Sequence, residues 1–178
     1  EKVLMEQDLG VSGILDPASA ARIGKVLGVH EIIVGKITQI IYTPERKTSR
    51  MQALEKTVRA GREEYVDDKG RTRTRTIMKK VRANLRIYTR MSSAQIMGSY
   101  QSIDVQTAKV KKADNIVGKA EFKHSWATFT GNKEALDKES LRLTSNIEKF
   151  APVEELMISK AVIDLSNQLA ERLKKYVK

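Results

Sequence analysis

The residues that could carry chemistry are few. There are two histidines, His30 and His124, and no cysteine, which removes disulfides, thiolate nucleophiles, Cys-ligated zinc and iron–sulfur clusters. His30-Glu31 opens a stretch rich in Ile and Val, and no second histidine follows at helical spacing, so the pair is not a zinc-protease motif. Gly35-Lys36-Ile37-Thr38 has the ending of a phosphate loop, but the preceding glycine is missing and the residues lie inside a strand pattern. Serines and carboxylates are scattered with no base identifiable beside them. The expectation is a non-enzymatic protein with no catalytic, metal or cofactor-binding residues and no small-molecule substrate.

Charge is more informative. The chain has 178 residues with 33 Lys+Arg against 22 Asp+Glu. Between Thr43 and Arg90 there are fifteen Lys/Arg and six Asp/Glu, which is most of the net +11. Basicity this local marks one face or one protrusion. Either it meets an anionic partner or it keeps an exposed hairpin soluble. The candidate partner-binding residues are Arg62, Arg71, Arg73, Arg75, Lys79 and Lys80, facing a protein partner, another copy of the chain or an anionic polymer. Nucleic acid ranks lower, because aromatic residues are 5% of the chain and Tyr65 and Tyr88 are not spaced as a stacking platform.

The elements that must position these residues follow from local signals. Val3, Leu4 and Leu9 suggest the last turns of an amphipathic helix ended by Gly10. Asp16-Pro17 opens a second helix, an N-cap followed by proline, with Ala18, Ala20, Ala21, Ile23, Val26 and Leu27 as its buried stripe and Gly28 as its end. Glu31 to Tyr42 reads as a central, largely buried strand. From Thr57 to Arg90 the pattern is an antiparallel hairpin turning at Asp67-Asp68-Lys69-Gly70. Odd positions of its second arm become apolar only from Val81 onward, so the half near the turn leaves the body, and Glu63 and Glu64 can reach its arginines across the ladder.

A turn at Met91-Ser92-Ser93-Ala94 and a strand from Ile96 to Val105 are expected next. The 106–149 insertion contains a strand-like run through Phe122, Trp126 and Phe129 ending at Gly131-Asn132, then one or two helical turns. A last helix runs from Pro152 to about Tyr176 with a stripe of Val153, Leu156, Ala161, Val162, Leu165, Leu169 and Leu173. The expected core is Ile32, Ile33, Val34, Ile37, Val81, Leu85, Ile87, Ile96, Leu156, Val162, Leu165 and Leu169. A chain of this length buries roughly 70% of its unfolded surface, so residues 1–178 suffice for a single domain.

Three stretches in order suggest a family. Met5-Glu6-Gln7-Asp8-Leu9-Gly10, Ala21-Arg22-Ile23-Gly24-Lys25-Val26-Leu27-Gly28-Val29 and Ile32-Ile33-Val34-Gly35-Lys36-Ile37-Thr38 together resemble the opening run of the CsgG family, the outer-membrane lipoproteins of curli secretion. Val81 to Ser99, with Ala83-Asn84-Leu85-Arg86-Ile87 and Ala94-Gln95-Ile96-Met97-Gly98-Ser99, is similar to that family's next strand pair. Ala151-Pro152-Val153 and the helix after it resemble its C-terminal helix. The matching pieces cover a little over half of the chain.

The resemblance implies an α/β (α+β) fold with a mixed sheet flanked by helices, like the TolB amino-terminal and anticodon-binding folds. Here that fold carries a protruding arm at 43–80 and a C-terminal helix at 151–178. It also implies a periplasmic, outer-membrane-associated setting, in which an anionic partner polymer would be one of the envelope; the family's lipidated N-terminal cysteine, a strand and most of a helix either precede Glu1 or are replaced by a different N-terminus. In the secretion channels two insertions build a transmembrane barrel; here Thr43 to Lys80 and Ser102 to Asn146 occupy those places. A lipid-facing strand alternates apolar residues, and a mid-membrane Lys or Arg costs about 2–4 kcal/mol. Arg71, Arg73 and Arg75 on one side and Thr72, Thr74 and Thr76 on the other offer no such face, and Lys109, Lys111, Lys112 and Lys119 burden the second insertion. A soluble relative that acts by binding fits better than a channel subunit.

Overall fold

A computed structural model describes residues 16–176; the expected helix around Val3, Leu4 and Leu9 lies outside them. The elements are helix α1 (Pro17–Leu27), strands β1 (Glu31–Val66), β2 (Thr72–Asp104) and β3 (Val110–Gly131), a 3-10 turn (Lys133–Ala135), and helices α2 (Lys138–Ser145) and α3 (Glu154–Tyr176). The strands form one sheet in the order β1-β2-β3. Tight turns at Asp67–Arg71 and Asp104–Lys109 join them, and each turn is closed by a backbone hydrogen bond of 2.9 Å. The sheet is therefore antiparallel throughout, not mixed as expected, because chain neighbours linked this closely can only run back along each other.

The chain divides into two units. One contains residues up to Pro44, Ser93–Glu121 and the chain from Pro152. Its first helix starts as the sequence predicts. The Asp16 carboxylate accepts from the backbone N–H groups of Ala18 and Ser19, each at 2.9 Å, and Gly28 closes the helix at φ 68°. The buried stripe differs, consisting of Ala20, Ala21 and Gly24, while Val26 is 82% exposed and Leu27 is also exposed. Gly24 is the point of approach. A Cβ there would collide with Val105 and come within 3.3 Å of Ile32, so the contact line follows small residues.

Ile37, Gly98 and Ile116 share one face of the sheet, since a Cβ on Gly98 would lie 3.6 Å from both isoleucines. Helix α3 covers that face. Gly118 has the same strand parity as Ile116, and a Cβ on it would lie 2.5 Å from the Leu165 Cβ and 2.7 Å from the Leu165 nitrogen. Ile32, which meets α1, has the opposite parity to Ile37, so helices flank both faces in this unit. The line of α3 that touches the sheet is Met157, Ala161 and Leu165; Val153, Leu156 and Val162 of the expected stripe are exposed. Bonds at the flank fix the helix: Asp164 accepts from Lys119 N–H at 2.8 Å, Gln168 donates to Val117 O at 3.0 Å, and Arg172 donates to Asp114 at 2.6 Å.

Glu31 to Tyr42 is not the buried central strand expected of it. It belongs to an edge strand, with Ile33 and Ile40 exposed and Ile37 54% exposed. Of the expected core, Val81, Leu85, Ile87, Ile96 and Leu165 are buried, Leu85 and Ile96 almost completely. The expected turn at Met91–Ala94 does not form, and β2 runs unbroken through it. Ser92 and Ala94 are buried, and residues this small can stay within a packed strand where bulkier ones would be expelled.

The other unit comprises Glu45–Ser92 and Phe122–Ala151 and has its own apolar cluster. Val81, Ala83, Leu85 and Ile87 from β2 pack with Ala127 from β3 and with Ala135 and Leu136 from the 3-10 turn, and Leu54, Val58, Phe129, Leu141 and Leu143 close the edges. Asn132 and Asp137 cap the turn and α2, accepting from Glu134 and Ser140 N–H at 2.8 and 2.7 Å. Here β2 buries odd positions, whereas in the first unit it buries Ala94, Ile96, Tyr100 and Ser102. Each unit covers the face that its own helices can reach.

Candidate functional site: the basic hairpin and its aromatic–cation cluster

Strand β3 stops at Gly131, and the next residue, Asn132, donates its N–H to Arg82 O at 2.9 Å. Residues 72–81 of β2 lie beyond the end of β3, so the hairpin continues as a two-stranded ribbon, and every residue from 71 to 80 is exposed. The arm begins at Val81 on β2, its first buried residue, but it is shorter than the expected 43–80, because Leu54 and Val58 of β1 pack on the apolar cluster and Glu45 binds Arg90 and Ala151.

Asp67 organises the tip. Its Oδ1 accepts from the N–H groups of Lys69 and Arg71, both at 3.0 Å, and Oδ2 pairs with Arg73 at 2.8 Å and Arg71 at 3.1 Å. These bonds, the Arg73 side chain's first, hold the Asp67 carboxyl below the usual carboxylate range. Arg75 pairs with Glu63 at 2.8 Å, as expected across the ladder, and its guanidinium lies 5.5 Å from the Tyr65 ring centroid. Lys80 shares Glu55 with Arg82, at 3.3 and 2.7 Å. Arg62 and Lys79 are exposed and have no hydrogen-bond or ion-pair partner among the described residues. The six predicted residues thus lie on one ribbon without converging on a pocket. Arg71, Arg73 and Arg75 are anchored by carboxylates but still 57, 52 and 64% exposed.

A second constellation lies apart from the six predicted residues. Arg90 is forked between Glu45 and Glu148, and its side chain is only 11% exposed. Its guanidinium lies 4.0 Å from the Phe150 ring centroid and 5.7 Å from that of Trp126. Lys47 pairs with Glu148 at 3.0 Å and stands 5.0 Å from both the Tyr88 and Trp126 centroids. Trp126 stacks with Tyr88 at 5.4 Å and with His124 at 5.9 Å, and His124 Nε2 is bonded to Ile147 O at 2.7 Å. Glu45 also accepts the Ala151 N–H, the main cause of its lowered pKa, whereas Glu148 is lowered mainly by Arg90. Arg90 in turn is raised, first by its bond to Glu148.

Segment 146–151 is thereby strapped across the sheet face over Trp126. The one sequence signal for this cluster is spacing: 45 and 47, 88 and 90, 124 and 126, 148 and 150 are all i, i+2 pairs, each presenting two side chains on one side of an extended segment. Nothing local reveals that the four pairs meet.

Charge follows the same division of the chain. The second unit contains twenty Lys/Arg and ten Asp/Glu, nearly the whole net +11. Among the described residues no three His, Asp or Glu side chains gather as metal ligands. The arrangement is suited to receiving anions on a rigid sheet. Comparison of the chain with family models, with curated proteins and with solved structures found no match.

Proposed function

We propose that this chain is a non-enzymatic accessory or assembly domain of the bacterial envelope, of the kind the CsgG resemblance implies. It would be periplasmic and outer-membrane associated, with a core of TolB amino-terminal type. It acts by protein–protein contact, with a partner or with another copy, through the hairpin tip and chiefly through Arg71, Arg73 and Arg75. The observation that carries this reading is the ribbon beyond Gly131. Its arginines are set in place by Asp67 and Glu63 yet contribute to no apolar core. A binding role is favoured over a lipid-facing one because the hairpin's apolar row, Val81 to Ile87, is already packed beneath Leu136, Leu141 and Leu143.

The test is to replace all three arginines by serine and measure oligomer mass and capture of partners from envelope extract at low and high salt, since exposed charge contacts fade when the Debye length falls to about 3 Å near 1 M. Loss of assembly or capture with an unchanged melting temperature is expected. Assembly and capture that ignore both the substitutions and the salt would refute the reading.

A further inference from the structure

We propose that the outer sheet face of the second unit, centred on Arg82 and Arg86, receives an extended acidic polypeptide segment. This surface is separate from the hairpin tip and does not depend on the tip's role. Two shallow depressions of about 270 and 230 Å³ adjoin there and share Asn84 and Thr130. Asn84, Arg86, Thr128 and Thr130 are all exposed. They lie on β2 and β3, and β2 is paired on both sides, so the surface is held rigid.

Arg86 is the key group. Among the described residues its one partner is the Met51 sulfur at 3.6 Å, a weak acceptor, and no carboxylate of theirs pairs with it. Arg82 is 79% exposed and shares Glu55 with Lys80. Four residues apart on one strand, the two arginines have backbone positions about 13 Å apart, the same spacing as acidic residues four apart on an extended chain.

The protein already shows this recognition at the next position along the same row. The strap's Glu148 sits on Arg90 and Lys47, and its neighbour's carbonyl, Ile147 O, is bonded to His124. An acidic segment at Arg86 and Arg82 would continue that mode toward the tip. A single-stranded nucleic acid has the charge but not the platform. Trp126 is buried, Tyr88 is faced by Trp126 at 5.4 Å and Lys47 at 5.0 Å, and the exposed Phe150 already carries Arg90 on its ring, so the row offers no run of open rings on which successive bases could stack.

The experiment is fluorescence anisotropy of the whole chain with a labelled peptide of alternating glutamate and serine, and with a labelled thymidine oligonucleotide of equal length, at low salt. Arg82→Gln with Arg86→Gln should weaken peptide binding by at least about tenfold, the scale of charge-assisted hydrogen bonds. Thr128→Glu, which places a carboxylate beside Arg86, should do the same, and the triple serine variant of the tip should bind like the parent. No peptide binding, binding unaffected by both the double variant and Thr128→Glu, or loss only in the tip variant would overturn the proposal. So would tighter binding of the oligonucleotide through the same residues. Loss in the tip variant alone points back to the hairpin, so the two surfaces fail separately.

Discussion

The Arg90 guanidinium lies over the Phe150 ring, 4.0 Å from its centroid, with Glu45 and Glu148 forked on the same arginine. Phe150, itself 69% exposed, therefore lies over the charge that holds the strap in place. A planar, delocalised cation can fork two carboxylates and stack on rings at once, whereas an ammonium cannot.

Arg90→Lys is accordingly expected to behave more like Arg90→Ala than like the parent. Both should lower the melting temperature and shift the emission of Trp126, the chain's one tryptophan, to the red as the strap lifts. Fluorescence and thermal melts of the two variants check this. A lysine variant indistinguishable from the parent would mean that charge alone holds the strap.

Gly118 is where the backbone of α3 rests on the sheet, and a Cβ there would fall 2.5 Å from Leu165 Cβ. Gly118→Ala should cost about 1–3 kcal/mol or more, because helix and strand must separate. Gly61→Ala is the contrast. Its Cβ would meet nothing within 4 Å, and φ is not in the left-handed region, so the change should be neutral or stabilising by up to about 1 kcal/mol. Denaturant melts of the two variants measure the difference.

Asp104 closes the turn between β2 and β3. It accepts from Thr107 N–H at 2.8 Å, the Thr107 hydroxyl at 2.9 Å and Gln106 N–H at 3.0 Å, and pairs with Lys111 at 3.1 Å. The bonds from Thr107, then that from Lys111, lower its pKa from 3.8 to about 2. A carboxylate depressed in the folded state stabilises it above the unfolded value, and the gain is lost as pH falls through the folded one. This contribution should be intact above pH 3.8 and vanish on acidification through about pH 2. Asp104→Asn should flatten the acid limb of stability against pH in that window, as measured by melts at stepped pH. An unchanged slope would show that the turn does not depend on the ionised carboxylate.

What the sequence determined by itself were the features written in a few adjacent residues. Asp16-Pro17 and Gly28 bound α1, Asp67 to Gly70 turns the hairpin, Gly131-Asn132 ends β3, and the polar ribbon gives way to a packed strand at Val81. Caps, turns and strand alternation act within one or two turns of chain, so their signals stay local. Tertiary structure alone decided which apolar strand lies at the edge and which face of α3 meets the sheet. Ile37 looks as apolar as Ile96, yet one is 54% exposed and the other buried, because β1 has a neighbour on one side only. Met157 is buried although it lies off the expected stripe of α3, because the line continues through Ala161 and Leu165, where Gly118 on another element lets the helix approach. The cluster around Arg90 draws on residues from 45 to 150, and only the pairing of three strands and the returning strap brings them within reach.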